Sequence, residues 1–76
     1  MQLPVVNMQR TGENISALRE ARGLTVRQLQ RLLGFATPQA IYKWQHGETL
    51  PTIDNLVALS AILQVPISDI LITDSH

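Results

Sequence analysis

The apolar residues of this chain recur every three or four positions, in short runs that are separated by single glycines and prolines. That spacing forms an apolar stripe along one side of an α-helix, whereas a strand needs a sustained alternation that is absent here. Four Gly and four Pro divide the runs, and both residue types are typical of helix ends and turns. The pattern therefore predicts an all-α domain of short helices.

A chain of 76 residues has room for one small domain and none for a separate catalytic or ligand-binding domain. It contains no cysteine, so neither a disulfide framework nor a cysteine-ligated zinc can stabilise it. Its apolar runs fall far short of the ~20 residues of a transmembrane helix, and no segment has the pattern of a signal peptide. We therefore expect a cytoplasmic protein with no membrane partner.

Glycines, prolines and capping residues predict five helices between two tails. We expect an N-terminal tail over residues 1–10, the helical domain over residues 11–72 and a C-terminal tail over residues 73–76. Leu3, Val5 and Val6 leave open a short strand that pairs with the chain end or with a partner. The first predicted helix begins at residues 11–13 and ends before Gly23. The second is Val26–Leu33 and the third is residues 38–46. The fourth is capped by Thr49 or Thr52 and ended by Pro66, and the fifth is a short turn capped by Ser68.

Two helix starts have a capping signature. Thr25 is followed three residues later by Gln28, which predicts a capping box for the second helix. Thr37 before Pro38 predicts an N-cap for the third. The fourth helix is expected to bury a broad apolar stripe made of Ile53, Leu56, Val57, Leu59, Ile62 and Leu63.

Two helices joined by a short turn that contains Gly are an arrangement that presents the second helix to DNA. The combination that makes this specific is Leu18, Arg19, Arg22, Gly23, Leu24, Thr25, Ile41, Trp44, Gly47, Pro51, Leu56, Leu59, Ile62, Leu63, Asp69, Ile70 and Leu71. With these residues the chain closely resembles the Cro/repressor-type (XRE-type, lambda-repressor-like) helix-turn-helix family over residues 11–71. The resemblance implies five short helices and a small prokaryotic or phage transcriptional repressor that binds duplex DNA as a homodimer.

In that family the third helix reads bases in the major groove. Carried over by position, the base contacts would be Gln39, Ala40, Tyr42 and Lys43. Gln can bond to adenine, Lys to guanine, and Ala can touch a thymine methyl. The phosphate contacts would be Thr25, Arg27, Gln28, Arg22, Thr37 and His46, with Arg10 and the backbone of residues 47–49 as weaker candidates.

The sequence departs from the family around the turn. Between Gly34 and Ile41 it holds one residue more than the family normally has, and Gln30 stands where the second helix usually has a small Ala. We expect the two changes to be linked, because the bulky Gln fits only if a longer turn moves the helices apart. Gln45 replaces an acidic residue that often pairs with the first helix's Arg, here Arg19, for which we expect a structural role.

Charge leaves a second function open. All six Lys and Arg precede Gly47 with only Glu13 and Glu20 among them, which leaves +4 there and −4 in the rest, and the net charge is zero. A neutral chain carries no overall field that attracts nucleic acid. Gln39, Tyr42 and Lys43 could therefore form a polar, solvated face that binds nothing. The alternative function is that of a protein-interaction module or antitoxin-like regulator, which docks on a partner protein through its acidic, aliphatic C-terminal third.

Nothing in the sequence has the form of a catalytic or cofactor site. Paired carboxylates, metal-ligand clusters, nucleophile and base pairs and Gly-rich phosphate loops are all missing. We expect no enzymatic activity, no metal, no cofactor and no small-molecule ligand. For the dimer surface, the candidates are Val65, Ile67, Ile70, Leu71 and Ile72, together with residues 3–6.

Overall fold

The computed structural model describes residues 2–75 and has five α-helices and one two-stranded sheet. It confirms the predicted helical fold class, and the sheet is an addition to it. In chain order the elements are β1 (Pro4–Val6), α1 (Met8–Ala21), α2 (Val26–Leu33), α3 (Gln39–Gln45), α4 (Ile53–Leu63), α5 (Ile67–Ile70) and β2 (Thr73–Ser75).

Within residues 2–75, the helices are all too short or too polar to span a membrane.

Several helix ends are where local chemistry predicts them. The Thr25 hydroxyl accepts from the Gln28 backbone N–H at 3.1 Å, and the Gln28 side chain accepts from the Thr25 N–H at 2.8 Å, so the capping box is present. Gly34 ends α2 at φ +74°, a left-handed conformation that costs glycine little. Thr52, of the two candidates, caps α4 by accepting from the Asn55 N–H at 3.3 Å.

Three of the helix ends predicted after α2 were wrong. Thr37 does not cap α3, because residues 36–38 form a bend that puts Pro38 at the capping position, where no side chain bonds to the helix. Ser68 lies inside α5, which follows directly from Pro66. The fourth helix ends at Leu63, before Pro66, with Gln64 in the left-handed conformation at φ 57°.

Residues 4–6 and 73–75, which lie in the two segments predicted as tails, pair with each other. This corrects the prediction of two tails and shows that the short strand it left open is present. Met1 and His76, the outermost residues of the predicted tails, lie outside the described residues. β1 and β2 are antiparallel, with Val5 opposite Asp74. Asn7 extends the pairing, since its backbone N–H donates to the Ile72 carbonyl at 2.8 Å and its side-chain amide donates to the Asp74 carboxylate at 2.8 Å. The two ends of the described chain are therefore joined.

The first helix begins earlier than predicted for the same reason. The Asn7 side-chain oxygen accepts from the Arg10 backbone N–H at 2.9 Å and caps α1, which starts at Met8 and not at residues 11–13. Thr11 consequently lies inside the helix, fully buried. Its hydroxyl accepts from the Ile72 N–H at 2.9 Å and donates to the Ile72 carbonyl at 3.3 Å, so α1 is tied to the segment before β2.

The core is formed by one or more buried side chains from every helix: Ile15, Leu29, Ile41, Trp44, Leu56, Leu59, Leu63 and Ile70. Two of the α4 residues that were predicted to be buried do not join the core, because Ile53 is 75% and Val57 55% exposed. Apolar residues occur on two sides of α4, and only one side packs on the core. Ile70 is completely buried, so the predicted dimer surface cannot include it.

Candidate nucleic-acid interface

Helix α3 has one face in the core and one face in solvent. Ile41 and Trp44 are buried, at 0% and 3% exposure, and the Phe35 ring meets the Trp44 ring edge to face with centroids 5.8 Å apart. Positions three and four apart on a helix share a face, and on the opposite side lie the exposed residues Gln39, Tyr42, Lys43 and His46. Three of the four predicted base readers are thus brought together on a firmly held helix.

Ala40, the fourth predicted base reader, differs from the other three. It is half-buried and packs against the core cluster. Only part of its methyl group is therefore accessible to a ligand on the outer face of α3.

Tyr42 and His46 form an aromatic pair on the exposed face. Their rings are stacked, with centroids 6.3 Å apart and an angle of 21° between their planes. His46 is the residue at the C-terminal cap of α3. It therefore lies beside a predicted base reader on the same face, although the sequence suggested a separate phosphate contact.

The N-terminus of α2 supplies the other part of the predicted interface. The capping box occupies the Thr25 hydroxyl and the Gln28 side-chain oxygen, so both groups already have partners within the chain. The first backbone N–H groups of a helix have no acceptor inside it, which leaves those of Val26 and Arg27 directed outward. Arg27 itself is exposed and lies in this first turn, and the N-terminus of a helix is where proteins commonly bind anions.

Most cationic side chains are available to a ligand. Within residues 2–75 the ion pairs are Arg10 with Asp74 at 3.7 Å and Arg19 with Glu20 at 3.5 Å. The exposed cations that they leave are Arg22, Arg27, Arg31 and Lys43. Arg10, a weaker phosphate candidate, already has a carboxylate beside it. Thr37 is exposed in the turn before α3.

Arg19 connects three parts of the structure and confirms the structural role that was expected for it. Its side chain is only 13% exposed. The Nε group donates to the Gln45 side-chain oxygen at 3.0 Å, and a terminal nitrogen donates to the Leu24 carbonyl at 2.7 Å. The neutral Gln45 thus serves as the acceptor on α3, and α1, α3 and the segment that enters α2 are fixed together.

Gln30 is bonded to the lengthened turn. Its side-chain amide donates to the Phe35 carbonyl at 3.2 Å, and the side chain is half-buried. The polar group that replaces the usual small residue therefore finds its acceptor in the turn itself. The two departures from the family are thus joined by one hydrogen bond, whereas the link predicted from the sequence was a longer turn that moves the helices apart.

The sequence did not predict the close contact between α1 and α3 that sets the position of α3. α1 packs most extensively against α3, and Gly12 lies where their backbones meet. A Cβ at Gly12 would overlap the Trp44 carbonyl oxygen and lie 2.9 Å from that of Gln45. A glycine inside a helix is unfavourable and usually has a packing reason, and that was the signal in the sequence.

The described residues do not include a group of three or more His, Asp or Glu side chains that could hold a metal ion.

Comparison with known proteins agrees with this geometry. The sequence profile of a family described as helix-turn-helix matches residues 15–70, which is most of the chain and contains α2, the turn and α3. No curated protein matches the sequence.

Several solved structures have the same fold. The restriction-modification controller protein C.AhdI from Aeromonas hydrophila is 21% identical, with a TM-score of 0.74 over 83% of this chain and 94% of that one. The S. venezulae BldD DNA-binding domain is 18% identical, with a TM-score of 0.73 over 87% and 97%. The clp gene regulator ClgR from C. glutamicum is 16% identical, with a TM-score of 0.75 over 90% and 86%. With the family match over residues 15–70, the chain belongs to the XRE-type helix-turn-helix family of DNA-binding transcriptional regulators.

Proposed function

We propose that the protein binds duplex DNA at a specific sequence by inserting α3 into the major groove, and that it represses transcription by excluding polymerase from the bound site. The observation that carries the proposal is the exposed face of α3, where Gln39, Tyr42 and Lys43 lie together opposite the buried Ile41 and Trp44. A B-DNA major groove is wide enough to admit an α-helix.

The side chains on that face have the chemistry of base recognition. Gln39 can donate to and accept from the edge of an adenine, and Lys43 can donate to O6 and N7 of a guanine. Tyr42 offers a hydroxyl and an apolar ring, and this ring stacks on that of His46 with centroids 6.3 Å apart. Gln39 and Lys43 lie one helical turn apart, so we propose that they contact neighbouring base pairs.

Phosphate contacts would fix the register of α3. Arg27 and the first amides of α2 are the principal candidates, because they combine an exposed cation with unused N–H donors. Arg22, Thr37 and His46 are exposed and complete the proposed set. Thr25 and Gln28 act mainly through the capping box, which holds those amides in position.

One domain of this size offers few base contacts, so we propose that two copies bind together. A pair related by a two-fold axis would place its two copies of α3 in successive major grooves, about 34–36 Å apart. The site would then be a palindrome of two half-sites. The partners of the protein would be duplex DNA and a second copy of itself.

The test is selection of binding sites from a random duplex pool with the purified chain, followed by affinity measurements on the enriched sequence and on a scrambled duplex. We expect a palindrome, and an affinity for it that exceeds that for the scrambled duplex by about 10³-fold or more. If no sequence is enriched, the proposal is wrong. The protein-docking function, with the acidic, aliphatic C-terminal third as its surface, would then replace it.

A further inference from the structure

An apolar groove with an unpaired cation lies on the outer side of α2. It is lined by Leu24, Gln28, Arg31 and Leu32 and has a volume of about 290 Å³. Leu32 is 59% exposed, and among residues 2–75 no carboxylate lies within salt-bridge distance of Arg31. We call these four residues the α2 groove. Leucine side chains offer nothing to a phosphate, so its chemistry fits an apolar ligand with a negative charge.

A surface of the opposite chemistry lies on α4. Ile53 and Val57 are one helical turn apart and are 75% and 55% exposed, and Leu50, just before the helix, is 36% exposed. Asp54 is exposed beside them and, within the described part of the chain, has no salt-bridge partner. We call Leu50, Ile53, Asp54 and Val57 the α4 stripe. It combines exposed aliphatic groups with a carboxylate.

We infer that two copies of this chain associate by docking the α4 stripe of one copy into the α2 groove of the other. The inference rests on the proposed function only in assigning a surface to the pair of copies expected there. Its basis is charge complementarity, because the basic residues all precede Gly47 and the part after it carries −4. Arg31 of one copy would meet Asp54 of the other, with Leu32 against Ile53 and Val57.

The size of the molecule favours a reciprocal arrangement. A standard interface covers about 800 Å² of each partner, which is about a sixth of this molecule's surface of 4914 Å². A single contact between one groove and one stripe would bury less than this area. In a dimer with a two-fold axis the contact occurs twice, so both surfaces of both copies are buried. α2 packs against α4 within one copy, so the two surfaces lie on neighbouring helices, and a single two-fold contact can include both.

The experiment is sedimentation equilibrium of the purified chain without DNA, over protein concentrations from about 1 μM to 1 mM, which spans the range of weak to moderate interfaces. We expect a monomer–dimer equilibrium. Arg31→Glu and Asp54→Arg should each weaken it by about tenfold or more, because each places like charges opposite each other. The double variant should return it to within about threefold of the original, since the pair is restored with its charges exchanged.

The control is Glu13→Arg, which makes the same charge change as Asp54→Arg at an exposed site on α1. It should leave the dimerisation constant unchanged, and circular dichroism should verify that each variant is folded. A chain that stays monomeric throughout the range would overturn the inference, as would a double variant no better than the single variants. Loss of DNA affinity in Arg31→Glu with unchanged sedimentation would also overturn it, because the groove would then face DNA.

DNA binding is a separate readout. A monomeric chain that still selects a DNA sequence would leave the proposed function standing and remove this interface. A dimer that behaves as expected but selects no DNA sequence would leave this interface standing and contradict the proposed function.

Discussion

Single side chains in this protein divide between those that hold α3 and those that α3 presents to solvent. Arg19 and Gln45 belong to the first group, because their hydrogen bond at 3.0 Å is sheltered and joins two helices. Gln39 and Lys43 belong to the second group, since both are exposed and are absent from the side-chain hydrogen bonds and ion pairs within residues 2–75. Substitutions in the two groups should therefore separate stability from DNA recognition.

We expect Gln39→Ala and Lys43→Ala each to lose about 1–3 kcal/mol of binding free energy on the selected site and to relax specificity at one base pair. Neither variant should change the free energy of unfolding by more than about 0.5 kcal/mol, because both side chains are on the surface. Competition binding against duplexes that carry each single-base change measures the effect. Variants with the original affinity for every duplex would show that α3 does not read the bases.

Gln45→Glu should raise the free energy of unfolding by about 1 kcal/mol at neutral pH, because a carboxylate makes a stronger, charge-assisted bond with the Arg19 guanidinium. Urea denaturation of the variant and the original chain measures the difference. Gln2→Glu makes the same charge change at an exposed position and should have almost no effect. A Gln45→Glu variant less stable than the original would mean that the Arg19 contact does not tolerate the charge.

At the scale of helices and strands, local signals were predictable from the sequence and distant pairings were not. The Thr25 and Gln28 capping box spans three positions, so its residues are visible together in the sequence. Asn7 and Asp74 are 67 positions apart, and nothing local indicates that they meet. Periodicity found the apolar residues of α4, but it could not decide that Ile53 and Val57 face solvent, because that depends on which side meets α2 and α5.

Gly12→Ala should lower the free energy of unfolding by about 1–3 kcal/mol, because the added methyl group has to displace backbone that cannot rearrange locally. Helix propensity alone would make the Ala variant more stable by about 1 kcal/mol, so the expected change in the free energy of unfolding has the opposite sign. Urea denaturation measures it, with the exposed neighbour Glu13→Ala as the control. A stabilised Gly12→Ala variant would contradict the close contact of α1 with the Trp44 carbonyl.

For the whole molecule, the separation of charge matters more than the net charge. The sequence predicted the exposed face of α3 because a helical period fixes which residues share a side. The sequence could not predict which cationic side chains have a partner inside the protein. Arg10 and Arg19 have partners on other elements, whereas Arg27 has no ion-pair partner within residues 2–75. A neutral molecule with a basic N-terminal part should be attracted to DNA only in one orientation and only at short range.

This organisation predicts how binding depends on salt. The logarithm of the association constant should fall linearly with the logarithm of salt concentration, with a slope of about −0.9 for each phosphate contacted. Arg27→Ala should weaken binding to all sequences about equally and reduce the steepness by about one for each copy bound. Fluorescence anisotropy at several salt concentrations measures both quantities. An unchanged slope would mean that Arg27 lies away from the phosphates, and the anion-binding role proposed for the α2 N-terminus would then have to be abandoned.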